Sequence, residues 1–169
     1  HSLAALEPDL VMNTGDNLSH VDGMGPLLEA LDPLMDFPGV FVPGSNCYFA
    51  PVFKNPARYL WQPRTPQMIE EGSRVALPIE RMHDAFESRG WTGLINRYDT
   101  LSLKGLRLEF SGVDDPHLRY DEHPGFAPGA FDEGEEPSVR IGVAHAPYMR
   151  TLHRFVQDGA QAIFAGHTH

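Results

Sequence analysis

Four strand-sized apolar runs in this chain each stop at a Gly- or Pro-containing turn that carries a metal-ligand residue type. Asp9 to Asn13 leads into Thr14-Gly15-Asp16, and Gly39 to Val42 leads into Pro43-Gly44-Ser45-Asn46. Val139 to Ala144 leads into His145-Ala146-Pro147, and Ala160 to Ala165 leads into Gly166-His167-Thr168-His169. Short apolar runs bounded by turn residues read as buried strands. In an open α/β sheet, ligands bind in the loops at the carboxyl ends of the strands. With these strands as parallel neighbours, Asp16, Asn46, His145, His167 and His169 converge on one sheet edge. Taken singly, Asp16 and Asn46 are ordinary turn or cap residues, and His145 is a loop histidine satisfying a carbonyl. The recurrence at one structural position is what argues for a site. Carboxylate, amide and imidazole together form a mixed oxygen and nitrogen shell, suited to Mn, Fe or Zn. Gly15, Gly44 and Gly166 permit the sharp turns that such convergence needs.

The rest of the chain reads as the scaffold of an α/β domain. Leu3 and Leu6 mark the end of a helix stopped by Glu7-Pro8. Pro26 to Met35 has helical spacing, which Pro33 interrupts. Cys47 to about Leu77 is rich in Pro and aromatics and reads as an insertion. A helix follows over Ile79 to Arg89, with Ile79, Met82 and Phe86 on one face and Gly90 as its stop. Leu101 and Leu103, then Leu106, Leu108 and Phe110, alternate around Lys104-Gly105, as in a hairpin. Leu118 to Ser138 is polar and loop-like, and Tyr148 to Asp158 is helical with Leu152, Phe155 and Val156 inward.

The chain has 169 residues, which fits one domain over 1–169 with the insertion at about 47–77. Lys plus Arg is 13 against 23 Asp plus Glu, a net charge of −10. That balance argues against an electrostatic nucleic-acid surface, because phosphate neutralisation needs clustered cations. It leaves room for a phosphorylated small molecule, since a bound cation reverses the local field. Cys47 is the single cysteine, so no intramolecular disulfide forms. No apolar run approaches the roughly 20 residues of a membrane span. The sequence begins with His1 and stops at His169, and reads as a portion of a longer protein. Membrane association would come only through a segment outside it. Cytoplasmic and membrane-associated locations both stay open, as does the oligomeric state.

The order of these motifs resembles the calcineurin-like metallophosphoesterases. That family shows Asp-x-His, Gly-Asp, Gly-Asn-His, a lone His after a strand, and Gly-His-x-His. Gly15-Asp16 matches the second motif, His145 the fourth, and Gly166-His167-Thr168-His169 the fifth. Gly44-Ser45-Asn46 matches the third with one extra residue, and Cys47 stands where the family has His. The first motif is not in this sequence. Gly-Ser-Asn together with Val113-Asp114-Asp115-Pro116-His117 is similar to a bacterial branch of the family.

The resemblance implies an α/β sandwich, with mixed sheets flanked by helices, and hydrolysis of phosphate esters by a metal-activated hydroxide at a dinuclear site. It implies two divalent ions (Mn, Fe or Zn), with a small phosphate ester as substrate. Asp16 resembles the bridging carboxylate, and Asn46, His145 and His167 the remaining ligands of one ion. His169 resembles a ligand of the other ion, whose further Asp and His would come from the absent motif. Asp16, Asn46 and His145 are thereby the catalytic candidates. A thiol is a weak donor and an unsuitable acid, so Cys47 does not replace the missing imidazole. The alternative is a non-catalytic relative that binds metal or a phosphorylated ligand.

Asn17, His20, Asp115 and His117 are candidates for substrate contact, and Asp114 for a place beside the pocket. Tyr48, Phe49, Phe53, Tyr59 and Trp61 in the insertion are candidates for a wall or lid. His1, His83, His123 and His153 receive no role.

Overall fold

Alternation with a period of two decides which layer each strand side chain enters. In the computed structural model, which describes residues 3–51, 75–128 and 137–168, strand β2 (Gly39–Phe41) shows this directly. Phe41 joins a core with Leu18, Met35, Cys47, Met82, Phe86 and Trp91, while Val40 and Val42 join another with Leu94, Leu108, Phe110, Ile141 and Val143. The first core lies between a sheet and its helices. The second lies between two sheets.

The first sheet has the order β1-β2-β3, all parallel, with β1 at Val11–Asn13 and β3 at Trp91–Gly93. Helices α1 (Met24–Leu31) and α3 (Ile79–Ser88) supply apolar residues to its outer face. Helix α3 forms because Ile79, Met82 and Phe86 recur at helical spacing, and Met82 and Phe86 are fully buried. Burying a side chain of that size stabilises by roughly 1.5–3 kcal/mol. Pro33 does end α1, which passes into a short 3-10 turn at Asp32–Leu34.

The second sheet has the order β4-β5-β6-β7, at Arg97–Leu103, Leu106–Gly112, Ser138–Ala144 and Ala162–Ala165. β4 and β5 are antiparallel, and the β5–β6 and β6–β7 pairs are parallel. Lys104 and Gly105 both take positive φ (51° and 77°) at the expected hairpin turn, the geometry that matches the twist of two-residue hairpins. Helix α4 (Met149–Gln157) covers the outer face, where Phe155 packs with Val113 and Ala144. The buried carboxylate of Glu109 on that face is held by Arg107 (3.3 Å) and Arg140 (3.1 Å). The order of layers is therefore helices, sheet, sheet, helix.

Several expectations are corrected. The four ligand-bearing strands are not neighbours in one sheet: β1 and β2 belong to the first, β6 and β7 to the second. Alternation shows that a strand has an inner face but not which sheet it joins. Strand β3 follows Gly90 directly and is only three residues long, too short to show a period. β4 starts at Arg97, ahead of its apolar alternation. Leu3–Leu6 is a 3-10 turn, not the end of an α-helix.

The expected insertion begins inside a short helix α2 (Ser45–Tyr48), which takes in Cys47 and Tyr48. Its two feet are paired, with Phe49 bridged to Ala76 and the Leu77 amide donating to the Tyr48 carbonyl at 2.9 Å. Phe53, Tyr59 and Trp61 lie outside the described residues, as do His1 and His169. No helix among the described residues is long and apolar enough to cross a membrane.

Candidate metal centre

The turn after β1 is built around close backbone approach. Gly15 has φ +95°, and a Cβ there would come 2.5 Å from the Gly44 nitrogen. Asp16 itself has φ +57°, a left-handed conformation that Asp tolerates better than most residues. Its Oδ1 accepts the Asn46 backbone N–H at 2.8 Å, and its Oδ2 accepts the Asn46 side-chain amide at 3.1 Å. The turns after β1 and β2 are thereby tied together. Because a carboxylate only accepts, the Asn46 amide NH₂ faces it, which leaves the amide oxygen without a partner among the described residues.

His145, after β6, is almost fully buried. Its Nδ1 lies 2.7 Å from the Thr14 carbonyl oxygen. A carbonyl only accepts, so Nδ1 carries the proton and the unprotonated Nε2 faces Asp16 and His167. That Nε2 is 3.4 Å from Asp16 Oδ1 and 3.1 Å from His167 Nδ1. His167, after β7, also takes a left-handed backbone, with φ +68°. One donor atom from each of Asp16, His145 and His167 falls within 4.8 Å of the others. This small Asp/His group can hold a metal ion.

The space is kept by missing side chains. A Cβ at Gly44 would come 2.5 Å from Asp16 Oδ1 and 2.6 Å from the His145 ring, and one at Gly166 would come 2.6 Å from Thr14 Oγ1. Burial opposes charge on both Asp16 and His145, but their mutual contact outweighs it. Asp16 is held below the usual carboxylate range and His145 above the usual imidazole range. Burial and the neighbouring His145 push His167 down. A proton and a divalent cation would compete for the same place between these groups.

Among the secondary candidates, His117 is joined to this centre. Its ring centroid is 5.1 Å from that of His167, and its Nδ1 is hydrogen-bonded to the Tyr148 hydroxyl at 2.9 Å. Asp115 is buried, and its carboxylate accepts the backbone N–H groups of His117 (2.9 Å) and Leu118 (3.3 Å). It therefore shapes the turn that carries His117. Asp114 accepts a hydrogen bond from the Tyr48 hydroxyl, which lies 2.7 Å from each carboxylate oxygen. Asn17 is bonded to Asn13 and to Cys47. His20 is exposed and accepts from Asp22 within its own turn, so its described contacts are local.

Cys47 is turned into the first core and is fully buried. Its Sγ accepts the N–H groups of Asn17 (3.4 Å) and Gly44 (3.5 Å), and burial pushes the thiol up. It staples the two turns that carry Asp16 and Asn46. Sequence reasoning missed Thr14, whose contribution is a backbone carbonyl and so leaves no side-chain signal. It also missed Asn96, whose amide binds Asp114, Tyr120 and Glu122; its placement directly before a strand was the only available hint. No family model, curated protein or solved structure matches this chain.

Proposed function

We propose that this chain carries the centre of a metal-dependent phosphoesterase of the α/β sandwich type, hydrolysing a small phosphate ester. The observation that supports this best is the meeting of Asp16, His145 and His167 from three separate turns, with His145 fixed by Thr14. A bound divalent cation would supply Lewis acidity and a water of lowered pKa. Asp16, His145, His167 and the free amide oxygen of Asn46 would hold it. His169 is assigned to a second ion by the motif resemblance alone, and a dinuclear site is part of this proposal.

The chain's own groups divide the remaining work. Asp16 fixes the position of Asn46 while it contributes its charge. Thr14 keeps His145 in one tautomer, so no reorganisation is needed at the ligand. His117 stands beside His167 with its Nδ1 engaged by Tyr148, which leaves Nε2 to hand a proton to a departing ester oxygen. Cys47 takes no part, because its thiol is buried in the core.

The test is an assay on aryl phosphate mono- and diesters with added Mn²⁺, for the parent chain and Asp16→Ala. Turnover that Asp16→Ala abolishes supports the reading, and equal turnover by both overturns it. The inward turn of Cys47, where the family has an imidazole, favours the second reading of a non-catalytic metal- or phospholigand-binding relative. Tight metal uptake without turnover would select that reading.

A further inference from the structure

Apart from the Asp/His group, the described residues hold a strongly basic feature. Arg119, Arg150 and Arg154 line a cavity of about 300 Å³ together with Asp121. Three guanidinium groups in one cavity is a marked concentration in a chain with 13 Lys plus Arg and a net charge of −10. Arg150 and Arg154 stand four residues apart on α4 and so share a helix face. Arg119 comes from the turn that Asp115 organises, with its own backbone in the left-handed region (φ +61°).

Arg150 is already committed, donating to the Pro116 carbonyl (2.6 Å) and to Asp121 (2.8 Å). Asp121 is further held by the Thr151 hydroxyl at 3.0 Å. Arg119 and Arg154 have no carboxylate partner among the described residues. The cavity therefore has one ion pair as its wall and two cations left over. Planar guanidinium groups bind phosphate or carboxylate oxygens in pairs of parallel hydrogen bonds.

A relay of side-chain contacts links the cavity to the Asp16, His145 and His167 group. Arg150 lies over the Tyr148 ring (4.8 Å), Tyr148 is bonded to His117 (2.9 Å), and His117 stacks beside His167 (5.1 Å). His117 and Arg119 leave one turn, two residues apart, toward the centre and the cavity respectively. From this juxtaposition we propose that the Arg119–Arg154 cavity is a recognition site for a second oxyanion on the substrate, a further phosphoryl or a carboxylate group. This rests on the phosphoesterase reading for its catalytic consequence, but not for anion binding itself.

Two measurements test it, on the full chain and on the double variant Arg119→Ala/Arg154→Ala. Both side chains are exposed and unpaired among the described residues, so the fold does not depend on them. The first is titration calorimetry with inorganic pyrophosphate in the presence of a chelator, where the variant should bind about tenfold or more weakly. The second compares kcat/KM with Mn²⁺ for α,ω-alkanediol bisphosphates, ω-carboxyalkyl phosphates and plain alkyl phosphates. The parent should prefer a substrate with a second anion at one chain length, and the variant should lose about tenfold of that ratio. The larger preference identifies the group as phosphoryl or carboxylate. An unchanged ratio, or equal pyrophosphate affinity in the two proteins, overturns the proposal. If no ester is hydrolysed at all, the phosphoesterase reading has failed, and the calorimetry alone decides the cavity.

Discussion

His145 donates its Nδ1–H to the carbonyl oxygen of Thr14 at 2.7 Å, linking the end of β6 in one sheet to the end of β1 in the other. The bond does two things at once. It joins the sheets at the edge where the ligand-bearing turns meet, and it sets the tautomer that points Nε2 at Asp16 and His167. A site assembled from two sheets is only as fixed as such cross-links make it.

Asp16 joins three of the turns that meet in this group. It accepts two hydrogen bonds from Asn46 and faces His145. Asp16→Ala is expected to abolish stoichiometric Mn²⁺ or Zn²⁺ uptake, measured by elemental analysis after gel filtration. It should also lower stability by about 1–3 kcal/mol in urea unfolding, the range for orphaning a buried hydrogen-bonded group. Unchanged metal content would remove Asp16 from the ligand set.

Gly44 tests whether the centre depends on open space. Its φ of −120° suits any residue, so backbone strain does not enter. An added methyl would meet Asp16 Oδ1 at 2.5 Å and His145 Cε1 and Nδ1 at 2.6 Å. Gly44→Ala should therefore cost about 1–3 kcal/mol as overpacking and weaken metal affinity by about tenfold or more through displaced ligands. Calorimetric titration with Mn²⁺ measures the second effect. A variant that binds the ion as tightly as the parent would show that the two ligands move aside freely.

Much of this centre was readable in the chain, and the reason is local. Gly15-Asp16, Gly44-Ser45-Asn46 and Gly166-His167 follow apolar runs directly, so residue type and position coincide. Pro33 likewise announced the end of α1. The division into two sheets was not readable, because Val40 and Val143 show the same alternation whichever sheet they enter. The inward turn of Cys47 depends on the two turns that close over it. Arg119 is far in sequence from Arg150 and Arg154, and only folding sets a left-handed turn residue against a helix face.

Tyr48 and Asp114 give a pH-dependent prediction. Burial raises the Asp114 carboxyl above its usual 3.8, while the Tyr48 hydroxyl opposes that rise. A raised folded-state value means the native state holds the proton more tightly than the unfolded chain. The stability linked to this group is thus fully present below pH 3.8 and is lost as pH climbs through the folded value. Tyr48→Phe removes the opposing hydrogen bond, so Asp114 should move further up and the loss should continue to higher pH. Urea unfolding across a pH series should show a gap between parent and variant that widens from acid toward neutral pH. It should reach about 1–3 kcal/mol, the range for an unsatisfied buried polar group. A gap of constant size at all pH values would mean that the hydroxyl does not act through the carboxylate.

Asn96 holds the loop that supplies both His117 and Arg119. Its side-chain oxygen accepts the N–H groups of Asp114 (2.7 Å) and Glu122 (2.8 Å), and its amide donates to the Tyr120 carbonyl (2.9 Å). One side chain thus clamps both ends of the segment from Asp114 to Glu122. Asn96 also has φ +51°, which Asn accommodates more easily than Ala. Asn96→Ala should therefore cost about 1–3 kcal/mol through lost hydrogen bonds, with added backbone strain. It should leave the Asp16, His145 and His167 group in place, since none of these leaves that loop. Metal uptake should then persist while the loop's amides exchange faster with solvent deuterium. Loss of metal binding together with loop protection would show that the loop and the centre form one cooperative unit, with the His117 turn part of the cage and not a neighbour to it.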